Sequence, residues 1–371
     1  MSKLDELIAE LCPDGVEYKS LGKILKNNNA SDSVSKKDYK EVGNIPIIDQ
    51  SQAYIAAYTD NESAIPPAFP CIIFGDHTRV VKYADKKFAQ GDSGTKVFVP
   101  VSENTNTKYT YYAFCNLNIP SRGYNRHWSI VKDIEIPLPP LPVQQEIVRI
   151  LDNFTELTAE LTAELTAELA ARRKQYEYYR NHLFAFSDDV EMGTLGTVAI
   201  NLDSKRKPVT KGNREAGEYP YYGASGIVDY VSDFIFDGDY LLVSEDGANL
   251  VARVTPIAFS ASGKIWVNNH AHVLKFETYV ERKFIEYYLN MIDLSRFIST
   301  AAQPKLTQDN LNKIPVPVPP IAEQKRIVAI LDRFDALCND LGSGLPGEIE
   351  ARRKQYEYYR DKLLTFEEAT A

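Results

Sequence analysis

The sequence predicts an α+β protein: two mixed α/β blocks in tandem, separated by two long antiparallel coiled-coil-like helices, with internal pseudo-twofold symmetry. Three observations carry this reading. The decapeptide ARRKQYEYYR stands at Ala171–Arg180 and again, unchanged, at Ala351–Arg360, 180 positions later. The same offset lays Pro139-Pro140 on Pro319-Pro320, Ile147-Val148 on Ile327-Val328, Ile150-Leu151-Asp152 on Ile330-Leu331-Asp332 and Phe154 on Phe334. A fainter echo at offset 174 pairs Val16-Glu17 with Val190-Glu191 and Leu21-Gly22 with Leu195-Gly196. A register held over so many positions marks an internal duplication, and its period sets the architecture before any local pattern does.

Taken in order, residues 1–135 form a first variable block with an N-terminal helix, and residues 136–187 a first repeated helical spacer. Residues 188–313 form a second variable block, and residues 314–371 a second spacer. The stretch Leu4–Leu11 is expected to complete the second repeat, closing a pseudo-symmetric ring. In the first variable block the strand-like runs are Ala53–Tyr58, Cys71–Phe74 and Lys96–Val99; in the second they are Gly226–Val231, Tyr240–Val243 and Lys264–Val267. Gly, Asp and Asn punctuate these runs, as turns require.

The spacers read as helices. Pro142 and Pro320 suit a first helical turn, where a missing N–H costs nothing. From there apolar residues recur at three- and four-residue steps, from Ile147 through Leu169 to Leu183, giving a seam about 65 Å long if unbroken. Inside it TAEL occurs three times in succession, at Thr158–Leu161, Thr162–Leu165 and Thr166–Leu169. A four-residue period overshoots 3.6, so this leucine stripe drifts by about 40° per unit. The repeat reads either as no more than a good helix former or as a ruler adjustable in fixed steps. In the second spacer, Gly342-Ser343-Gly344-Leu345-Pro346-Gly347 should break the helix.

Composition bounds the function. No apolar run reaches the length of a membrane helix, and the first twenty residues lack a signal peptide's pattern. Cys12, Cys71, Cys115 and Cys338 are scattered, which predicts free thiols in a reducing cytoplasm and no metal cluster. The net charge of −9 gives no basic footprint for nucleic acid. Residues 22–135 nevertheless hold 14 basic and 12 acidic side chains, and residues 196–313 hold 13 and 14, so the acidity lies mainly in the connecting segments.

Two motif matches fail on context. The GxGxxG match at 342–347 follows a helix and contains a proline, where a dinucleotide site needs a preceding strand. Asp14, Glu17 and Lys19 resemble a nuclease motif, but acids only three apart do not come from neighbouring strands. There is no P-loop, HExxH or GxSxG, and none of the proline pairs has the flanks of an adenine methyltransferase motif. The chain is expected not to be an enzyme in itself.

IPLPPLPVQQEIVRILDNFTEL at Ile136–Leu157, its echo at Ile314–Leu337 and the paired ARRKQYEYYR resemble the conserved regions of type I restriction–modification specificity subunits. Tyr219–Leu250, Ile72–Tyr83 and Ser121–Ile130 resemble the target-recognition domains of that family, so the resemblance spans essentially the whole chain. It implies a subunit whose two target-recognition domains each read one half of a split, asymmetric site in double-stranded DNA. Its helices would set the gap and dock two adenine methyltransferase (modification) subunits, and ATP-hydrolysing restriction/translocase subunits would join that core. S-adenosylmethionine, ATP and magnesium would then belong to partner subunits, with no cofactor on this chain.

On that footing polar loop residues are the candidates for base contact, arginine suiting guanine and Asn or Gln adenine. In the first domain these are Gln50, Ser51, Asp76, His77, Thr78, Arg79, Asn125, Arg126 and His127. In the second they are Ser225, Asp246, Asn249, Gln303 and Lys305. Tyr124, Trp128, Tyr221 and Tyr222 read as packing residues, and Tyr176, Tyr179, Arg180, Tyr356, Tyr359 and Arg360 as partner-docking surface or inter-helix packing. The rival reading is a coiled-coil scaffold that organises partners without touching DNA. Divergent domains on near-identical spacers argue against it, because variation belongs where targets vary.

Overall fold

The computed structural model describes residues 2–299, 303–340 and 342–369. The chain forms two compact units, one of Met1–Ala163 with Glu350–Ala371 and one of Glu164–Ile349. Each unit therefore combines one variable block with parts of the helical segments.

In the first unit, helix α1 (Lys3–Leu11) opens with a capping box in which Ser2 and Asp5 satisfy each other's backbone N–H. Its Leu4 is buried with Val143, Ile147 and Leu151, early residues of helix α3 (Leu141–Leu183), and with Leu364 just past helix α6 (Leu345–Leu363). A parallel bridge between Val16 and Glu368 brings the N- and C-terminal stretches together, as the repeat register predicts for Leu4–Leu11. The variable block holds an antiparallel sheet in the order Leu25–Asn27, Thr95–Pro100, Cys71–Gly75, Val81–Ala84. A three-stranded sheet places Ile45–Ile48 between Ala57–Thr59 and Ala89–Gln90. The expected strand at 53–58 is confined to Ala57–Thr59, because the stretch before it is held by side chains. There Lys82 Nζ donates to the Ala53 carbonyl and the Tyr54 hydroxyl to that of Tyr83. Helix α2 (Thr107–Cys115) covers the larger sheet, packing Phe114 on Phe74 at 5.2 Å between ring centroids.

The second unit is built on one six-stranded sheet in the order Ile200–Asn201, Ala271–Lys275, Phe236–Ser244, Ala258–Val267, Ala216–Gly223, Gly226–Val231. One face packs on helix α4 (Tyr279–Met291) and on helix α5 (Ile321–Asn339) through Phe284, Ile327 and Leu331, all essentially without exposure. Both units join block to spacer by the same two-stranded ribbon, Tyr18–Ser20 with Glu135–Pro137 and Met192–Thr194 with Pro315–Pro317. Pro142 lies in the first turn of α3 as expected, whereas Pro320 is one step earlier, as the cap of α5.

The helix break falls where the glycines put it, between α5 and α6. Asp340 closes the turn, its carboxylate accepting from Gly342 N at 2.7 Å. A Cβ on Gly344 would stand 2.6 Å from the carbonyl oxygens of Ala336 and Asp340, so only glycine fits there.

Candidate nucleic-acid interface

In the first unit, strand Cys71–Gly75 ends in the turn 76–79, which meets the segments 49–51 and 121–127. The backbone of Asp76 is the hub, its N–H donating to Gly94 O at 2.8 Å and its carbonyl accepting from His127 N at 2.8 Å. Thr78 Oγ1 donates to Gln50 O at 2.6 Å, tying in the third segment. The second unit repeats this frame with other side chains. Glu245 N donates to His270 O at 2.9 Å, and Glu245 O accepts from Leu306 N at 2.7 Å. Ser244 Oγ, at the end of its strand, donates to Ala224 O. The segments 224–226, 245–249 and 303–306 therefore meet as 49–51, 76–79 and 121–127 do. All fourteen residues singled out for base contact fall in these two clusters.

Their exposures divide them. Gln50, Asp76 and His127 are buried, and each is bonded within the unit. Gln50 Nε2 donates to Asp92 at 3.1 Å. Asp76 Oδ1 accepts from Trp128 N at 2.8 Å, with Lys96 Nζ 3.6 Å from its other oxygen. His127 is fully buried, Nδ1 against Asp76 O at 2.9 Å and Nε2 accepting from Arg122 N at 3.1 Å. Ser51 is half-buried, its N–H bonded to Asp49. Thr78, Arg79, Asn125 and Arg126 are exposed. Arg79 adopts a left-handed φ of 65° and donates to the Ile119 carbonyl at 2.9 Å, while the Asn125 amide donates to Arg122 O.

The aromatic expectation holds for Trp128, which stacks on Phe98 at 4.1 Å, and for buried Tyr221. It fails for Tyr124. That ring is 83% exposed and lies nearly parallel to His77 at 4.5 Å, so an aromatic pair flanked by Arg122 and Arg126 faces solvent from the loop. A Gly-containing turn at 121–126 lifts Tyr124 out of the core that Trp128 enters.

In the second unit Ser225 and Gln303 are exposed, and Asn249 ties its loop to Thr255 through both side-chain atoms at 3.0 Å. Asp246 Oδ2 lies 2.7 Å from His270 Nδ1, and its backbone bridges Lys305. Lys305 Nζ pairs with Glu245 at 3.0 Å. Beneath them lies an ion network. His272 sets Nδ1 against Asp203 at 2.6 Å and Nε2 against Leu306 O at 2.8 Å, and Arg206 lies 2.5 Å from Glu245 and 3.4 Å from Asp203. Burial works against both carboxylates, but hydrogen bonds from His272 to Asp203, and from Arg206 and Lys305 to Glu245, hold their pKa values below the ordinary range. Asp203, Glu245 and His272 are metal-ligand types brought together. Arg206 and Lys305 already neutralise the two carboxylates, and Leu306 O takes the second His272 nitrogen, so the set fits an ion network better than a cation site.

One further sequence signal lies outside the candidate residues. Residues 205–214, KRKPVTKGNR, hold five basic side chains and no acid. Arg206 and Arg214 turn inward, the latter stacking on Tyr221 at 4.2 Å and pairing with Asp229. Lys205, Lys207 and Lys211 are exposed, and among the described residues none has a carboxylate within ion-pair distance.

The tyrosine-rich repeats pack within their units. Phe154 meets Tyr359 at 5.8 Å, and the Tyr356 hydroxyl lies 3.0 Å from Thr155 Oγ1. Tyr176 and Tyr179 meet Phe334 at 6.2 and 5.6 Å. Arg180 lies over the Tyr176 ring and Arg360 donates to Asn116 at 3.0 Å. All six make packing contacts, and Tyr179 and Tyr359 are at the same time 38% and 41% exposed, beside Tyr178 and Tyr358 at 67% and 62%. Among the described residues no helix is long and apolar enough to cross a membrane, and all four cysteines are free thiols.

Two units with one backbone frame and different loop side chains define a two-module recognition protein. Comparison with known proteins places it: the family described as type I restriction modification DNA specificity domain matches twice, over residues 13–171 and 187–351. The specificity subunit of the type I restriction enzyme EcoR124I/EcoR124II of Escherichia coli is 34% identical, over 99% of this chain and 97% of that protein. A putative specificity subunit of Haemophilus influenzae is 37% identical over about half of each chain, 48% and 47%. The fold is shared with the S subunit from M. genitalium, at TM-score 0.52 and 18% identity over 94% of this chain and 96% of that one. It is also shared with a chain solved in work on complex assembly and conformational transition of the type I R-M system, at TM-score 0.63 and 16% identity over 95% and 98%. The chain belongs to the type I restriction–modification specificity subunits, and it carries two recognition domains.

Proposed function

We propose that this chain reads a split, asymmetric sequence in double-stranded DNA, one half-site per loop cluster, as a non-catalytic subunit. The recognition domains are residues 1–135 and 188–313, and the helical spacers 136–187 and 314–371 set the gap. The spacers dock two adenine methyltransferase subunits, and restriction/translocase subunits join that core in the cytoplasm. S-adenosylmethionine, ATP and magnesium act on those partners.

The observation that carries this reading is the pair of loop clusters, framed alike at Asp76 and Glu245 and differing in the side chains they present. A nearly symmetric scaffold with unlike readers selects a non-palindromic target, and the pairs between half-sites are sensed as length alone. Co-expression with the modification subunit of its own system, followed by methylation mapping, tests it. Adenine methylation at one split motif that vanishes without this chain supports the reading; a complex that forms without any such motif overturns it. Deleting one TAEL unit shortens the helix by about 6 Å. The expected result is a gap one or two base pairs shorter with both half-sites unchanged, and altered half-site bases would contradict the ruler.

A further inference from the structure

The repeat provides an internal control that exposes a second kind of site. Gln144 and Gln324 occupy equivalent positions 180 residues apart. Each donates its amide to the proline carbonyl five residues earlier, at 2.7 Å to Pro139 and 2.9 Å to Pro319. Beyond that bond they differ. Gln144 accepts from Asn106 N at 2.8 Å and donates to Asn104 O at 3.1 Å, so its carboxamide clasps a stretch of the chain's own backbone. Gln324 is only 8% exposed, yet its side chain makes no further hydrogen bond among the described residues.

The sequence explains the difference. In the first unit the link from strand Thr95–Pro100 to α2 spans residues 101–106, and it folds back over Gln144. In the second unit the link from strand Ala271–Lys275 to α4 is residues 276–278 only. Three residues fewer leave a cavity of about 360 Å³ over Gln324, lined also by Thr197, Ile200, Lys275, Glu277 and Phe284. That volume lies in the range of ligand sites. The Gln324 carboxamide opens on this cavity, where its oxygen is free to accept and its amide to donate to an incoming group.

We infer that this cavity receives a segment of a partner polypeptide, presenting a backbone C=O and N–H to Gln324 as Asn104 and Asn106 present theirs to Gln144. The bonding pattern is that of main chain. Glu277, exposed on the rim with no cation in ion-pair distance among the described residues, selects a segment that also carries Lys or Arg. Resting on the functional reading above, the partner is the modification subunit, since the cavity floor is the first turn of a spacer helix. The two halves of the chain therefore hold their modification subunits by non-equivalent contacts, because the first unit fills its own site.

Hydrogen–deuterium exchange on the full chain, alone and with its modification subunit, tests this. Residues 197–200 and 275–278 should gain protection in the complex, with no matching gain at 102–106. Ile200→Arg places a bulky charge in the cavity from a residue that is 59% exposed, and Glu277→Arg reverses the rim charge. Each should weaken one of the two modification subunits by roughly tenfold or more while leaving the other bound, as native mass spectrometry would show. A complex that assembles and methylates with these segments exchanging as in the free chain overturns the inference alone. Failure to form any complex overturns the inference together with the functional reading.

Discussion

At the centre of the first loop cluster stands Asp76, a buried carboxylate that caps the Trp128 N–H and has Lys96 at 3.6 Å. At the same place in the second stands Glu245, tied to Arg206 and Lys305 above a His272–Asp203 pair. The backbone bonds of the two hubs are the same: an N–H to the strand beside it and a carbonyl to the returning loop. The difference teaches that two segments of each cluster are joined by main chain and the third by a hydroxyl, of Thr78 or Ser244, so the other loop side chains can diverge without loss of loop position. It also teaches that the two hubs are stabilised unlike. The first rests on packing and one capped helix turn, the second on a closed network of charges.

That contrast is broken most sharply at Asp203. Asp203→Ala would leave His272 Nδ1 and part of the Arg206 guanidinium buried without an acceptor. A buried pair that loses one partner costs about 3–5 kcal/mol. The loss should be confined to the second unit, read as faster amide exchange at 244–249 and 271–273 with the first unit unchanged. Equal loosening of both units would dissolve the distinction. The pH dependence follows in sign. Asp203 and Glu245 have folded pKa values below their unfolded ones. Their contribution is complete above the ordinary carboxylate values of about 4 and is lost as pH falls through the depressed folded values. Acid titration should release the second hub in that window, and Asp203→Asn should remove much of the dependence.

Next in size is His127→Ala, which empties a fully buried ring site, leaves Arg122 N without its acceptor and removes the ring contact to Asp76 O while the backbone bond to that carbonyl stays. Cavity and unpaired N–H together give about 2–4 kcal/mol. The consequence for function is selective: methylation mapping should show a degenerate first half-site beside an intact second one. Loss of both half-sites together would mean that the clusters do not read independently.

Much of the fold is legible in the amino-acid sequence. The 180-residue register and the glycine-rich break at 342–347 mark the helices, the duplication and their ends. The loop segments are legible too, since the candidate residues chosen along the sequence lie together in one or the other cluster. What the sequence hides is which polar residues face inward. Asp76 and His127 are 51 positions apart, and only their non-local bond shows that both are framework. In SRGYNRHWSI nothing local separates Tyr124 from Trp128; the tertiary contacts of Trp128 with Phe98 and Phe74 do. The basic run at 205–214 is visible in the sequence but vanishes when charge is averaged over a whole block. The asymmetry at Gln144 and Gln324 depends on two link lengths, which have a meaning only once the strands and helices have defined ends.

The smallest expected effect concerns that basic run and sharpens the comparison on the DNA side. Lys205, Lys207 and Lys211 are exposed and hold no internal ion pair among the described residues, so replacing all three with alanine should leave stability unchanged. If they meet phosphates, each removes up to about 0.9 from the slope of log affinity against log salt, and weakens binding to every sequence alike. The first unit has no run of this density, so the second domain should carry the larger share of non-specific affinity. Binding of the assembled complex to matched and mismatched duplexes across a salt series measures both quantities. A flattened slope with an unchanged specificity ratio would assign the lysines to the backbone. A lowered ratio at constant slope would move them to the bases, and the frame at Glu245 would then extend its reading surface into the segment that precedes it.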